Sequence, residues 1–237
     1  MHSTLNIVIW IYIIFTFLSF LLLISSIQKF QGTARYICIF LSIASGWAVV
    51  NNIFWLFFNN SFEITKKIPL FTEYTDYIIT TPLSLIAVSF FALNKMAKDK
   101  TLILIVVISD VIMLLTGALA EYNNSFVRQI WFWVGCLPFV VIIFLMWKNL
   151  RLKAKKQNKV PYKSFLILSA YITFLWCMYP LFWYLGPFAL KLLTIIQVEI
   201  AYHITSIFTK AGYYVLFYIQ LKKVNSKTPS VPIGGLK

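Results

Sequence analysis

Apolar residues occupy this chain in long blocks broken by short polar connections. Seven blocks, at about 5–27, 36–58, 72–94, 101–120, 127–147, 164–187 and 191–221, are long enough to cross a bilayer, for which roughly 20 residues suffice. The pattern predicts an all-α membrane protein, a seven-transmembrane-helix bundle over 1–224 with a short tail at 225–237. No basic segment precedes the first block and no small-residue cleavage site follows it. It is therefore expected to be the first helix rather than a secretory signal.

Polar residues inside the blocks carry the chemistry. The last block, Leu192 to Leu221, holds a single lysine, Lys210, near its middle. Thirty helical residues would run roughly 45 Å, which leaves Lys210 too deep to reach either surface by extending its stem. An ionised amine there costs several kcal/mol unless compensated. A buried ion pair, a deprotonated amine and a covalent adduct with a carbonyl compound each remove the cost. The third block supplies the acids: Glu73, Asp76 and Thr80 share one helix face. Pro82 frees the Ile78 carbonyl and predicts a bend. Asp76 lies about a turn deeper than Glu73, and Lys210 is the matching cation for it.

On the last block Glu199, His203, Ser206 and Lys210 recur at spacings of four, three and four, so they line one face. That file, from an acid near the outer surface through an imidazole to a buried amine, has the form of a proton or water path. Asp110 is alone on the fourth block and is expected to be hydrogen-bonded. Asn51 and Asn52, in the second, read equally as interhelical hydrogen bonds or as the lining of a polar cavity. Trp176, Tyr179 and Trp183 present one aromatic face beside Pro180, suited to gripping a flat apolar ligand. The first block offers only an anchor.

Composition agrees with the membrane assignment: 60% hydrophobic residues, 12% charged residues and a mean hydropathy of +0.82 exclude a soluble domain. The net charge of +14 would suit a nucleic-acid binder, but its distribution argues against that partner. Of 21 basic residues, sixteen fall on one side of the alternating connections, including the Lys148–Lys163 group. Only Lys66, Lys67, Arg128 and Lys191 fall on the other, and Lys210 is the remaining one. This asymmetry places the N-terminus outside, the C-terminus in the cytoplasm, and the protein in the cell membrane as a multi-pass chain in contact with the lipid bilayer. Cys38, Cys136 and Cys177 lack metal-like spacing and a disulfide framework, and no metal site is expected.

DYIITTPLSL in the third block, VRQIWFWVGC in the fifth, LWCMYPLFWYLGP in the sixth and TKAGYYVLF around Lys210 resemble the microbial (type 1) rhodopsins. Within them, KDKTLILIVVISDVIMLLTGALAE and VRQIWFWVGC look most like the xenorhodopsin and Anabaena sensory rhodopsin branch. The resemblance covers essentially the whole chain. It implies all-trans retinal as a protonated Schiff base on Lys210, with Asp76 as counter-ion and Thr80 hydrogen-bonded to Asp76. Trp176, Tyr179, Pro180 and Trp183 would hold the polyene with Tyr77, Thr81, Trp131 and Phe132. Met113 and Gly117 would border the ring end, and Ser84 and Asp110 stand where the family tunes colour.

Departures from the family shape the functional expectation. Glu73 replaces an arginine, and Ser206 replaces the second counter-ion. Ala87 replaces the internal proton donor of outward pumps, and Phe217 the cytoplasmic acid of inward ones. The expected function is light-driven proton transport, more in keeping with inward movement, by photoisomerisation of the Lys210 Schiff base. The alternatives are a sensory photoreceptor with a cytoplasmic signalling partner and a light-gated ion channel. No enzyme activity is expected, and a homo-oligomer, trimer or pentamer, is.

Overall fold

A computed structural model describes residues 2–61, 68–93, 96–123 and 125–227. The expected outer loop, Asn59 to Lys67, lies outside the described residues from 62 onward, as does the tail from 228 and Lys95. Among the described residues, ten α-helices arrange into seven rods. The first four rods are α1 (His2–Ile24), α2 (Gly32–Ser61), α3 (Ile68–Ala92) and α4 (Met96–Tyr122). The fifth joins α5 (Ser125–Phe144) to α6 (Arg151–Lys155) through a π turn, Leu145–Leu150. The sixth is α7 (Lys159–Trp176) with α8 (Met178–Leu185), and the seventh is α9 (Ile195–Ser206) with α10 (Tyr213–Lys227). Neighbouring rods pack in chain order, α1 on α2, α2 on α3, α3 on α4 and α4 on α5. The seventh rod closes the ring by packing on α1. Six of the described helical rods are long and apolar enough to cross a membrane by length and composition alone. The seventh rod carries Glu199, His203 and Lys210, which lower its apolarity without shortening it.

Two expected rods differ in detail. The sixth breaks at Cys177 because Pro180 has no N–H to donate to the carbonyl four residues earlier, that of Trp176. The seventh starts at Ile195 rather than at 191. Thr194 and Gln197 form a reciprocal capping box, with Gln197 N–H donating to Thr194 Oγ1 at 3.3 Å and Thr194 N–H donating to Gln197 Oε1 at 2.8 Å. Those bonds satisfy two donors that a helix start leaves open. Lys191 just before it has φ 57, which ends any helical continuation. Between α9 and α10 lies a second π turn, Ile207–Gly212, with Lys210 inside it. The extra residue re-aims the side chains of that turn, a distortion often found at functional sites.

Two ends of the bundle differ in character. Toward the C-terminal ends of α1 and α3, Leu23, Val88, Phe91, Phe165, Phe217 and Leu221 pack as one apolar core. Toward the other end the interior holds Asn51, Asn52, Glu73, Asp76, Glu199 and His203, all buried. The outward faces of the rods remain apolar, with Trp10, Phe15, Leu115, Leu137 and Val140 exposed, as a lipid-facing surface requires.

The α8–α9 connection is tightly built. A Cβ on Gly186 would meet Val198 Cγ2 at 2.9 Å and the carbonyl oxygens of Phe182 and Trp183 at 3.2 Å. Two of those three atoms are backbone and cannot swing aside. Gly186→Ala is therefore expected to lower stability by about 1–3 kcal/mol. Thermal loss of helical circular dichroism at a lower temperature than in the parent would show it, and an unchanged transition would contradict it.

Candidate functional site

Lys210 is brought to the bundle interior by the second π turn, with 3% of its surface exposed. Its amine forms an ion pair with Asp76 Oδ2, itself 4% exposed. The two groups come from rods three and seven, and each removes the other's uncompensated charge in a low-dielectric site. Asp76 Oδ2 also accepts from Tyr12 Oη at 3.3 Å and from Asn52 Nδ2 at 3.5 Å. Asp76 Oδ1 is buried and has no hydrogen-bond partner among the described residues. The Lys210 ammonium further lies 4.9 Å from the centroid of the Tyr77 ring, a cation–π distance.

A cavity of about 160 Å³ opens at Lys210 and crosses the bundle to α4 and α5. Rings of Tyr77, Phe132, Trp176, Tyr179 and Trp183 line it, with Met113 and Gly117 at the far side. Phe132 and Trp183 stack at 4.1 Å with an interplanar angle of 6°, which fixes the wall near α5. Gly117 sits where a Cβ would meet Tyr74 Oη at 2.7 Å, so a bare backbone lets α3 and α4 approach there. Thr81, Ser84 and Pro180 also line the cavity. An apolar slot with one amine at its end fits a long flat carbonyl compound bound through that amine.

Hydrogen bonds hold the cavity's polar margin. Thr81 Oγ1 donates to Asp110 Oδ2 at 2.6 Å, so the buried acid in the middle of α4 is hydrogen-bonded, as expected. Tyr179 Oη is within 2.9 Å of Ser206 Oγ and 3.1 Å of Thr209 Oγ1. Thr80 departs from expectation: its hydroxyl donates to the main-chain carbonyl of Asp76 at 2.9 Å, not to the carboxylate. A threonine inside a helix reaches the carbonyl one turn back more readily than the side chain there. Ser84 likewise donates to the Thr80 carbonyl at 2.8 Å.

A second, smaller cavity lies on the other side of Asp76, lined by Tyr12, Asn51, Asn52, Trp55, Glu73 and His203. Asn51 and Asn52 thus do both things open to them. Asn51 Oδ1 accepts from Thr75 Oγ1 at 2.9 Å across the rods while both side chains border the cavity. Glu73 and Glu199 are both buried, at 7% and 8% exposed. With His203 they offer three ligand-type atoms within 4.8 Å of one another. His203 Nδ1 bonds the Glu199 carbonyl at 2.8 Å, and Trp55 and Tyr12 pack edge-on against its ring.

Other residues differ from their expected places or join the site without a signal in the sequence. Trp131 is not on the main cavity wall and packs instead against the Trp183–Val198–Tyr202 cluster. Of the neighbouring aromatics, Phe132 faces the cavity. Tyr12 turns the first rod from an anchor into part of the Asp76 environment; one hydroxyl in an apolar block was its only signal. Gly135, Cys136, Phe139 and Tyr214 also line the cavity and carry no distinguishing spacing.

A family model described as bacteriorhodopsin-like protein matches residues 3–223. The bacterial rhodopsin CSR3 of Haloarcula vallismortis is 27% identical over 184 residues, covering 78% of this chain and 76% of that protein. Halorhodopsin of Halobacterium halobium (strain mex) is 30% identical over 132 residues, covering 55% of this chain and 61% of that relative, so the match spans about three fifths of its length. The crystal structure of Exiguobacterium sibiricum rhodopsin superposes with a TM-score of 0.84 at 19% identity, covering 96% of this chain and all of that one (100%).

Proposed function

We propose, from the premise that the chain belongs to the bacteriorhodopsin-like family, that this multi-pass membrane protein carries retinal and moves protons under light, inward rather than outward. All-trans retinal, attached through Lys210 Nζ, is the cofactor of this reading. Its support is the apolar, ring-lined cavity that begins at a buried amine. When bound, retinal supplies the absorption of visible light and an isomerisation that alters the proton affinity of the nitrogen to which it is attached. Trp176, Tyr179, Trp183 and Phe132 confine the ligand and keep bulk water from it.

The observation that carries the transport reading is the asymmetry about Asp76. Asn52, Tyr12, His203, Glu73 and Glu199 gather on one side of the Lys210–Asp76 pair. On the other, Ala87 and Phe217 are fully buried in apolar packing. An acid on that second side would return a proton quickly to Lys210 Nζ in an outward pump, so its lack argues against fast outward pumping. Ala87 holds none. Asp76 is placed to hold a proton at Oδ2 and return it to Lys210 Nζ, with the carboxyls of Glu73 and Glu199 behind it as the outer supply. The N-terminus outside, the xenorhodopsin-like branch, and assembly as a trimer or pentamer belong to the same reading.

One assay tests it. Vesicles containing the protein and retinal are illuminated while external pH is followed, with and without a protonophore. In whole cells or in vesicles of the same orientation, inward pumping makes the outside alkaline, and a protonophore abolishes the change. Acidification means outward pumping, and a current that reverses with voltage means a channel. A photocycle without any proton movement points to the sensory reading, for which the exposed Arg151, Lys155, Lys156 and Lys159 offer a basic docking surface.

A further inference from the structure

We infer that Tyr171 is a positioning residue for Lys210: its hydroxyl holds the π turn that carries the amine, by way of the Phe208 main-chain carbonyl. The inference rests on the reading of Lys210 as the retinal-bearing amine and adds to that site a residue from outside the cavity. Tyr171 lies on α7 and does not line the cavity. Its Oη donates to the Phe208 carbonyl at 3.1 Å, a bond from the sixth rod to the seventh that lands two residues before Lys210.

The bilayer gives this bond its weight. In the Ile207–Gly212 turn the Phe208 carbonyl accepts from Tyr213 N–H, five residues on. That spacing departs from the regular helical ladder, and a carbonyl has a second lone pair to offer a donor from outside its own rod. Phe208 is 51% exposed, on the lipid-facing surface of the seventh rod. Hydrocarbon supplies no donor there, so the bond has to come from protein. The sixth rod provides it.

Two further contacts are built around the same hydroxyl. A Cβ on Gly212 would meet Tyr171 Oη at 2.7 Å, so that position has to be bare for the hydroxyl to reach Phe208. The Tyr171 ring stacks on the Tyr213 ring with centroids 5.8 Å apart and an interplanar angle of 2°. Tyr213 follows the turn directly and is fully buried. Hydroxyl and ring therefore grip the turn at Phe208 and at Tyr213, on either side of Lys210 in the chain. Successive helical residues point about 100° apart, so even a partial shift of an unheld turn along the rod re-aims the Lys210 amine away from Asp76.

Tyr171→Phe removes the hydroxyl and keeps the ring on Tyr213, whereas Gly212→Ala displaces an intact hydroxyl. Both variants and the double variant are compared with the parent in lipid discs. In the dark and before retinal is added, amide hydrogen exchange over Ile207 to Tyr214 is expected to be about fivefold faster in Tyr171→Phe, the size of one net hydrogen bond. With retinal, the visible band of each single variant is expected at longer wavelength than the parent's, because the nitrogen lies less close to the Asp76 carboxylate. The double variant should shift no further than the larger single shift, since both changes remove the same bond. Helical circular dichroism checks folding, and Tyr171→Phe, which differs by one oxygen, keeps the test open if Gly212→Ala does not fold. A hydroxyl that only adds general stability would leave the band in place. Unchanged exchange, a Tyr171→Phe band that stays put, or fully additive shifts overturn the inference. A parent that stays colourless refutes the retinal reading itself, and the role of Tyr171 toward Lys210 falls with it.

Discussion

Lys210→Ala protein, purified after expression with retinal, is expected to show no visible absorption band. The amine at the end of the ring-lined cavity is the group placed to bond an aldehyde there, and alanine removes the nucleophile outright. Among the described residues no other lysine lines that cavity. The substitution also strands Asp76, which is 4% exposed and loses its cationic partner. Removing one member of a buried pair costs about 3–5 kcal/mol when the other stays charged. Part of that loss is avoided if Asp76 takes up a proton. A double variant, Lys210→Ala with Asp76→Asn, removes the stranded charge and should regain stability without regaining colour. A visible band in either protein would refute the assignment of the ligand to Lys210.

Much of this architecture is legible in the sequence because a bilayer enforces it. Backbone groups inside hydrocarbon must be bonded within their own segment, so long apolar blocks have few outcomes besides helices. Lys210 and Asp76 were legible for a related reason: an ion at depth needs a partner, and few candidates existed. Features set by packing were not. The π turn around Lys210 has no composition signal, whereas Pro180 marks the sixth rod for a kink and only its exact place at Cys177 was left to packing. Trp131 and Phe132 are adjacent on one helix, and only the rotation of α5 decides which ring meets the cavity. Spacing placed Glu199 far along the axis from Lys210 and so near water. That Glu199 and Glu73 are buried and close to one another is a relation between segments more than a hundred residues apart. For the same reason the grouping of Glu73 with Glu199 and His203 could not be read from spacing within either block.

Asp76→Asn is the second large effect, and it separates the acid's electrostatic role from its hydrogen-bonding one. Asparagine keeps an oxygen that can accept from Tyr12 and Asn52, so the local geometry is nearly preserved. What it cannot supply is negative charge beside the Lys210 nitrogen. With retinal bound, the positive charge at that nitrogen is stabilised more in the ground state than after excitation spreads it along the polyene. Losing the carboxylate therefore moves the visible band to longer wavelength. Proton movement should fall further than colour changes, because asparagine neither takes nor returns a proton in this pH range. General acid–base groups contribute about 10²–10⁴-fold to the steps they serve, so the initial rate of light-driven pH change should drop by at least about 100-fold. Asp76→Glu restores the charge at the cost of a longer side chain in a packed site. It should bring the band back toward its parental position while recovering transport only in part. If Asp76→Asn leaves both band and proton movement where they were, the charge balancing Lys210 lies elsewhere, and Glu73 would be the group to examine next.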